Sequence, residues 1–152
     1  MQWKPGQILR IKDYKFEDDG STRDKYAILL CTNDKELYLI HSLTTSQNKL
    51  FFPGIHYGCS VQRGVPYYFI PAEQPVGDQN FHFEKDTFIF FQSNVRKESF
   101  EKFEKASKTL WGIVSLGALS NEELTRIIKC ALKSKFIPSN IASELSAFKE
   151  AL

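Results

Sequence analysis

Over its first two thirds the chain carries short apolar stretches, broken every few residues by turn-forming ones. Pro5-Gly6 is a turn signal, and residues 7–16 after it read as a first strand. Residues 17–24 are charged and contain Gly20, so they read as a loop. Tyr26-Ala-Ile-Leu-Leu-Cys31 is nearly all apolar, as a central strand should be. A tight turn at Asn33-Asp34 predicts that residues 37–41 return antiparallel to it. Residues 44–49 form the next loop, and 50–64, with Gly54, Gly58 and Gly64 among aromatics, form an irregular excursion. Residues 65–70 make a strand ended by Pro71, 73–80 a loop, and 81–91 an aromatic strand.

The pattern then changes period. Residues 96–109 are charged with Phe100, Phe103 and Ser107 on one face, which predicts a helix. The pairs Glu98–Lys102, Glu101–Lys105 and Glu104–Lys108 have the spacing of a solvated, ion-paired helical face. Residues 110–119 hold a last strand. Ser120-Asn-Glu-Glu123 has the form of a capping box, in which the hydroxyl covers a free amide and the carboxylate reaches back. It opens a helix with Leu124, Ile127, Ile128, Ala131 and Leu132 on one face. Pro138 ends that helix, and Ser139 caps a short final one bearing Ile141, Leu145, Phe148 and Leu152.

Strands followed by helices predict a mainly β or α+β protein, not a parallel α/β sheet. Short strands with frequent turns point to a small antiparallel barrel, with helices packed outside it or over an open end. One domain over residues 1–152 is expected: 1–95 mostly β, 96–109 helix, 110–119 the last strand and 120–152 C-terminal helices.

Composition narrows the choice of partners. Thirteen phenylalanines among 152 residues strengthen the reading of a β core. A net charge of +2 excludes a polybasic nucleic-acid arm but leaves room for the few cations that phosphate binding needs. Cys31, Cys59 and Cys130 are odd in number and lack CxxC spacing. That argues against a disulfide framework and a zinc site, and fits a reducing cytosol. The polar N-terminus lacks a signal peptide's apolar run, and no apolar stretch approaches a membrane span. A cytoplasmic protein without a membrane partner is expected.

The order of parts resembles the MazF/PemK-like family, the ribonuclease toxins of bacterial toxin–antitoxin modules. The matching pieces are Pro5-Gly-Gln-Ile-Leu-Arg10, Tyr26-Ala-Ile-Leu-Leu30, Leu43-Thr-Thr-Ser-Gln47, Val65-Pro-Tyr-Tyr-Phe-Ile70 and Gly117-Ala-Leu-Ser-Asn-Glu-Glu-Leu124. The resemblance implies an SH3-like barrel with a C-terminal helix. It also implies an endoribonuclease that cleaves single-stranded RNA without metal or cofactor, as a homodimer held inactive by an antitoxin. The family usually places Arg-Pro just before the second strand. This chain has Lys25-Tyr26 there, with Arg23 two residues earlier, and residues 48–64 read as an insertion.

Cleavage by the 2′-hydroxyl needs a base, an acid and donors for the charge added at phosphorus. By the resemblance, Arg23 or Lys25 holds the phosphate and Thr44 or Thr45 donates to it. Ser46, Gln47 and His41 lie beside these and would contact substrate. Glu17, Asp18 and Asp19 offer a base or a support for the arginine, or are simply a solvated turn. His56 could titrate near neutral pH as His41 could, whereas His82, in an aromatic stretch, reads as structural. The aromatics of 67–69 and 81–91 could stack bases if they face outward, and otherwise belong to the core. The alternative is a non-catalytic SH3-like module that binds nucleic acid or a peptide, such as a mobile-element accessory protein.

Overall fold

The computed structural model describes residues 3–15, 22–46, 55–92, 94–108 and 112–152; the side chains of 13–15, 22, 23 and 106–108 fall outside that description. The element order is β1 (Gln7–Lys15), β2 (Thr22–Asn33), β3 (Tyr38–Leu43), β4 (Gly58–Gln62), β5 (Val65–Ile70), β6 (Thr87–Phe90), β7 (Val95–Ser99), α1 (Phe100–Lys108), β8 (Ile113–Ala118), α2 (Asn121–Ala131) and α3 (Ser139–Ala151). The mainly β, α+β class is thus as expected. The strands form two antiparallel sheets, ordered β7-β3-β2-β1-β8 and β4-β5-β6.

Among the described residues the sheets meet at two corners without closing into one continuous barrel ladder. At the first, Thr45 and Phe88 exchange two backbone hydrogen bonds of 2.9 and 2.8 Å. At the second, Gly77 pairs with Leu119. A Cβ at Gly77 would stand 2.0 Å from the Ala118 carbonyl oxygen, so only glycine permits that approach.

Alternation along β1 and β2 sends side chains to two separate cores. Ile8 and Ile28 face α2, α3 and the smaller sheet, together with Tyr68, Ile70, Leu124, Ile127 and Leu145. Leu9 and Leu29 face the other way, onto Trp3 and Phe103 of α1. A third cluster, Tyr67, Phe69 and Phe88, covers the outer face of the smaller sheet. Tyr67, Tyr68 and Phe69 are all at most 8% exposed, so neither side of β5 offers a stacking surface for bases.

Several expected boundaries move. β4 lies inside the expected excursion, and pairs with β5 through Arg63-Gly64, whose φ values of 51° and 78° mark a two-residue hairpin turn. β7 lies in the stretch expected to be helical, because Val95–Ser99 completes the exposed edge of β3 before α1 begins. Glu98 and Lys102 still approach to 3.8 Å, across the strand–helix junction. Only residues 87–90 of the expected 81–91 strand pair in a ladder. α3 runs 13 residues with Pro138 at its cap position, no side-chain cap, and Leu152 exposed. Residues 16–21, 47–54 and 109–111, including Glu17, Asp18, Asp19 and Gln47, lie outside the described residues. No helix among the described residues is long and apolar enough to cross a membrane.

The cysteine reading is corrected. Cys59 of β4 and Cys130 of α2 form a disulfide across 71 residues of sequence. Their partnership is tertiary, so sequence spacing carries no sign of it. Cys31 remains a buried thiol, pushed up to about 11 by burial and, less, by the charge of Glu144.

The capping box forms by half. The Ser120 hydroxyl accepts from the Glu123 amide at 3.1 Å, but the Glu123 carboxylate does not reach back. It is 2% exposed, and it accepts from the hydroxyls of Tyr57 and Tyr68 and from Arg126 Nη2 at 3.0 Å. A buried carboxylate without such donors would be strongly destabilising, so this cluster fixes α2 on the β4–β5 hairpin. Burial, then the hydrogen bond to Glu123 and its charge, push the Tyr57 phenol up to about 12; the same causes raise Tyr68 further.

Two predictions follow from these ties. Reducing the disulfide, or Cys59→Ser with Cys130→Ser, should lower unfolding free energy by about 2–4 kcal/mol, read from urea midpoints. Because the folded Tyr57 value lies above its ordinary 10.0, its contribution is intact below pH 10 and is lost as pH rises toward 12. Urea midpoints across that window should fall less steeply in Tyr57→Phe than in wild type.

Candidate functional site

Where the inner face of β1 and β2 leaves the core, apolar residues give way to polar ones. Ile8 pairs with Ile28, both fully buried, and two residues on Arg10 pairs with Tyr26. A groove of about 620 Å³ opens there. The five-stranded sheet contributes Arg10, Asp24, Lys25, Tyr26 and Leu116. The segment leaving β3 contributes Thr44, Thr45 and Ser46, and the segment entering β6 contributes Phe81 through Lys85 and Thr87.

The two segments singled out by sequence therefore border one groove. Lys25, Thr44, Thr45 and Ser46 all line it. Arg23 lies in β2 as backbone only, its side chain being outside the description, and Gln47 is not described. His41 is elsewhere. Its register opposite Leu29 turns it onto the α1 face, where it is 3% exposed and edge-on to Phe103 at 5.1 Å. Its Nε2 lies 3.5 Å from Glu98 Oε2, an ion-pair separation in which neither ring nitrogen makes an aligned hydrogen bond. The neighbouring imidazole holds the Glu98 carboxyl below its ordinary value.

Thr44 and Thr45 play different parts. The Thr44 amide and hydroxyl both donate to the Tyr26 carbonyl, at 2.9 and 3.3 Å, and the residue is 4% exposed. Its proton is thus committed to holding the loop against β2. Thr45 uses its backbone to join the sheets at Phe88, and it and Ser46 present more surface to the groove.

The opposite wall was not legible as a site. Phe81–Phe83 do not form a strand; Gln79 and Asn80 adopt left-handed φ of 57° and 59°, which turns the chain outward. His82 is exposed there, with Nδ1 3.3 Å from the Asn80 carbonyl, which corrects its reading as a structural strand residue. A proton on Nδ1 leaves Nε2 as an acceptor. Phe81 lies over Gly117 of β8, where a Cβ would come within 2.8 Å of its ring. Three cations (Arg10, Lys25, Lys85) face two carboxylates (Asp24, Glu84) in the lining, so the groove is mildly electropositive. Among the described residues, no three His, Cys, Asp or Glu side chains gather closely enough to hold a metal ion.

No protein-family model matches the chain, and no curated protein or solved structure matches it. Thr44→Val keeps the shape of the side chain and removes its hydroxyl. It should cost about 0.5–1.5 kcal/mol of stability, measured by urea denaturation, whereas Thr44→Ser should cost less.

Proposed function

We propose that this groove binds single-stranded RNA and cleaves it without a metal, as the resemblance to the MazF/PemK-like toxins implies. The supporting observation is the meeting of Lys25 with Thr45 and Ser46 on one concave surface that also carries His82 and Lys85. The cations would neutralise phosphate charge, and the hydroxyls would donate to a non-bridging oxygen as charge builds on phosphorus. His82 Nε2 would accept the 2′-hydroxyl proton as that oxygen attacks phosphorus, and a protonated Glu84 or a water would give a proton to the leaving 5′-oxygen as its bond to phosphorus breaks. By the same resemblance the protein would act in the cytoplasm. The groove lining includes neither Cys59 nor Cys130, so neither sulfur takes part in the proposed cleavage. By the same resemblance, a second copy would complete a homodimer and an antitoxin segment would occupy the groove.

A non-catalytic module that binds nucleic acid or a peptide is favoured by one observation. The Thr44 hydroxyl, expected to serve phosphate, is spent on the Tyr26 carbonyl.

Wild-type protein is expected to cut a long single-stranded RNA in EDTA, with and without reductant. Lys25→Met and Thr45→Val should each slow cleavage roughly 100-fold, as loss of one transition-state donor does. Folded wild type that retains RNA yet leaves it intact would decide for the binding module.

A further inference from the structure

We infer that Arg10, rather than the cation before β2, is the principal phosphate-holding group of the groove, and that Tyr26 beside it is the platform for the adjoining base. The inference rests on the reading of the groove as a site for single-stranded RNA.

Arg10 occupies backbone that is paired along both edges. It pairs with Tyr26 on one side and with Val114 on the other, on an interior strand of the five-stranded sheet. Lys25 lies opposite Ile11, where the β1–β2 register begins to shift. It also already has a partner in the folded chain. A rigid strand holds a binding group in place better than a strand end does.

The surroundings of Arg10 leave one of its donors unused among the described residues. It continues the face of Ile8, which is fully buried, so its aliphatic stem leaves the core and its head enters the groove. Its Nε is buried without a hydrogen-bond partner among the described residues. A desolvated guanidinium donor is costly to leave unpaired, and the fork of N–H groups matches two oxygens of one phosphate.

Tyr26 supplies the second half of the recognition. Directly opposed side chains on neighbouring strands stand about 5 Å apart at Cβ, so Arg10 and Tyr26 leave the sheet from adjacent positions on the face that lines the groove. Tyr26 is 39% exposed, although it sits mid-sheet between strands β1 and β3. An exposed ring beside a phosphate grip suits an unstacked base and its own phosphodiester. A duplex keeps its bases stacked on one another, out of reach of such a ring.

The test uses the full-length protein and a short labelled oligoribonucleotide whose 2′-hydroxyls are methylated, so that binding is read without cleavage. Fluorescence anisotropy is followed over a series of salt concentrations, and thermal melting checks that each variant folds. Arg10→Met should weaken binding at least about 10-fold, the scale of a hydrogen bond to a charged group. It should also lower the slope of log K against log salt by about 0.7, one phosphate contact on a single strand. Arg10→Lys should restore the slope but not the affinity, since an ammonium restores charge without the two-point grip. Lys25→Met should weaken binding less than Arg10→Met, and Tyr26→Leu should weaken it without changing the slope. Wild-type affinity and slope in Arg10→Met, or a larger loss in Lys25→Met, would overturn the assignment. If Arg10→Met does not fold, Arg10→Lys decides: wild-type affinity there also overturns it. Wild type that fails to bind the oligonucleotide at low salt defeats the RNA reading itself, an outcome distinct from loss of the Arg10 role alone.

Discussion

Strand β1 is hydrogen-bonded along both edges and covered on both faces, and the other elements take their places around it. Ile8 and Leu9 are adjacent in sequence, point in opposite directions and are both fully buried. One seeds the core shared with α2, α3 and the smaller sheet; the other seeds the core under α1. Each such side chain removes apolar surface worth about 1.5–3 kcal/mol from water. A strand pinned in this way cannot slide by one residue, because every side chain would exchange faces. The groove begins where this double burial ends, at Arg10.

The elements that sequence made legible are those with long apolar runs or strong caps. β2, β3, β5 and α2 each bury a nearly continuous set of residues, so their pattern follows their surroundings directly. β4 and β7 were missed for the opposite reason. Both are edge strands with exposed or charged side chains, and their existence depends on the neighbour that pairs with them. The charges of β7 run on into α1, and a helix-like spacing crosses the boundary without a break.

The site was partly legible for a similar reason. Lys25, Thr44, Thr45 and Ser46 lie on segments next to recognisable strands, so their order along the chain was a fair guide to their meeting. His41 went astray because an irregularity in the β2–β3 register sets which face it takes. Arg10 was hidden inside a strand, where a charge reads as the polar half of an alternation, and the 81–85 wall was hidden by its aromatic character. The disulfide and the Glu123 cluster join residues more than fifty positions apart, which no local pattern records.

The walls of the groove belong to different sheets. Arg10 and Tyr26 ride on the larger sheet, Lys85 and His82 on the approach to the smaller one, and the Thr45–Phe88 pair joins the two like the pin of a caliper. An anionic ligand spanning the gap would draw the jaws together and add a cross-link that the unfolded chain lacks. Occupancy and cohesion of the whole molecule would then be linked quantities, since a ligand held only by the folded groove stabilises the fold that forms it.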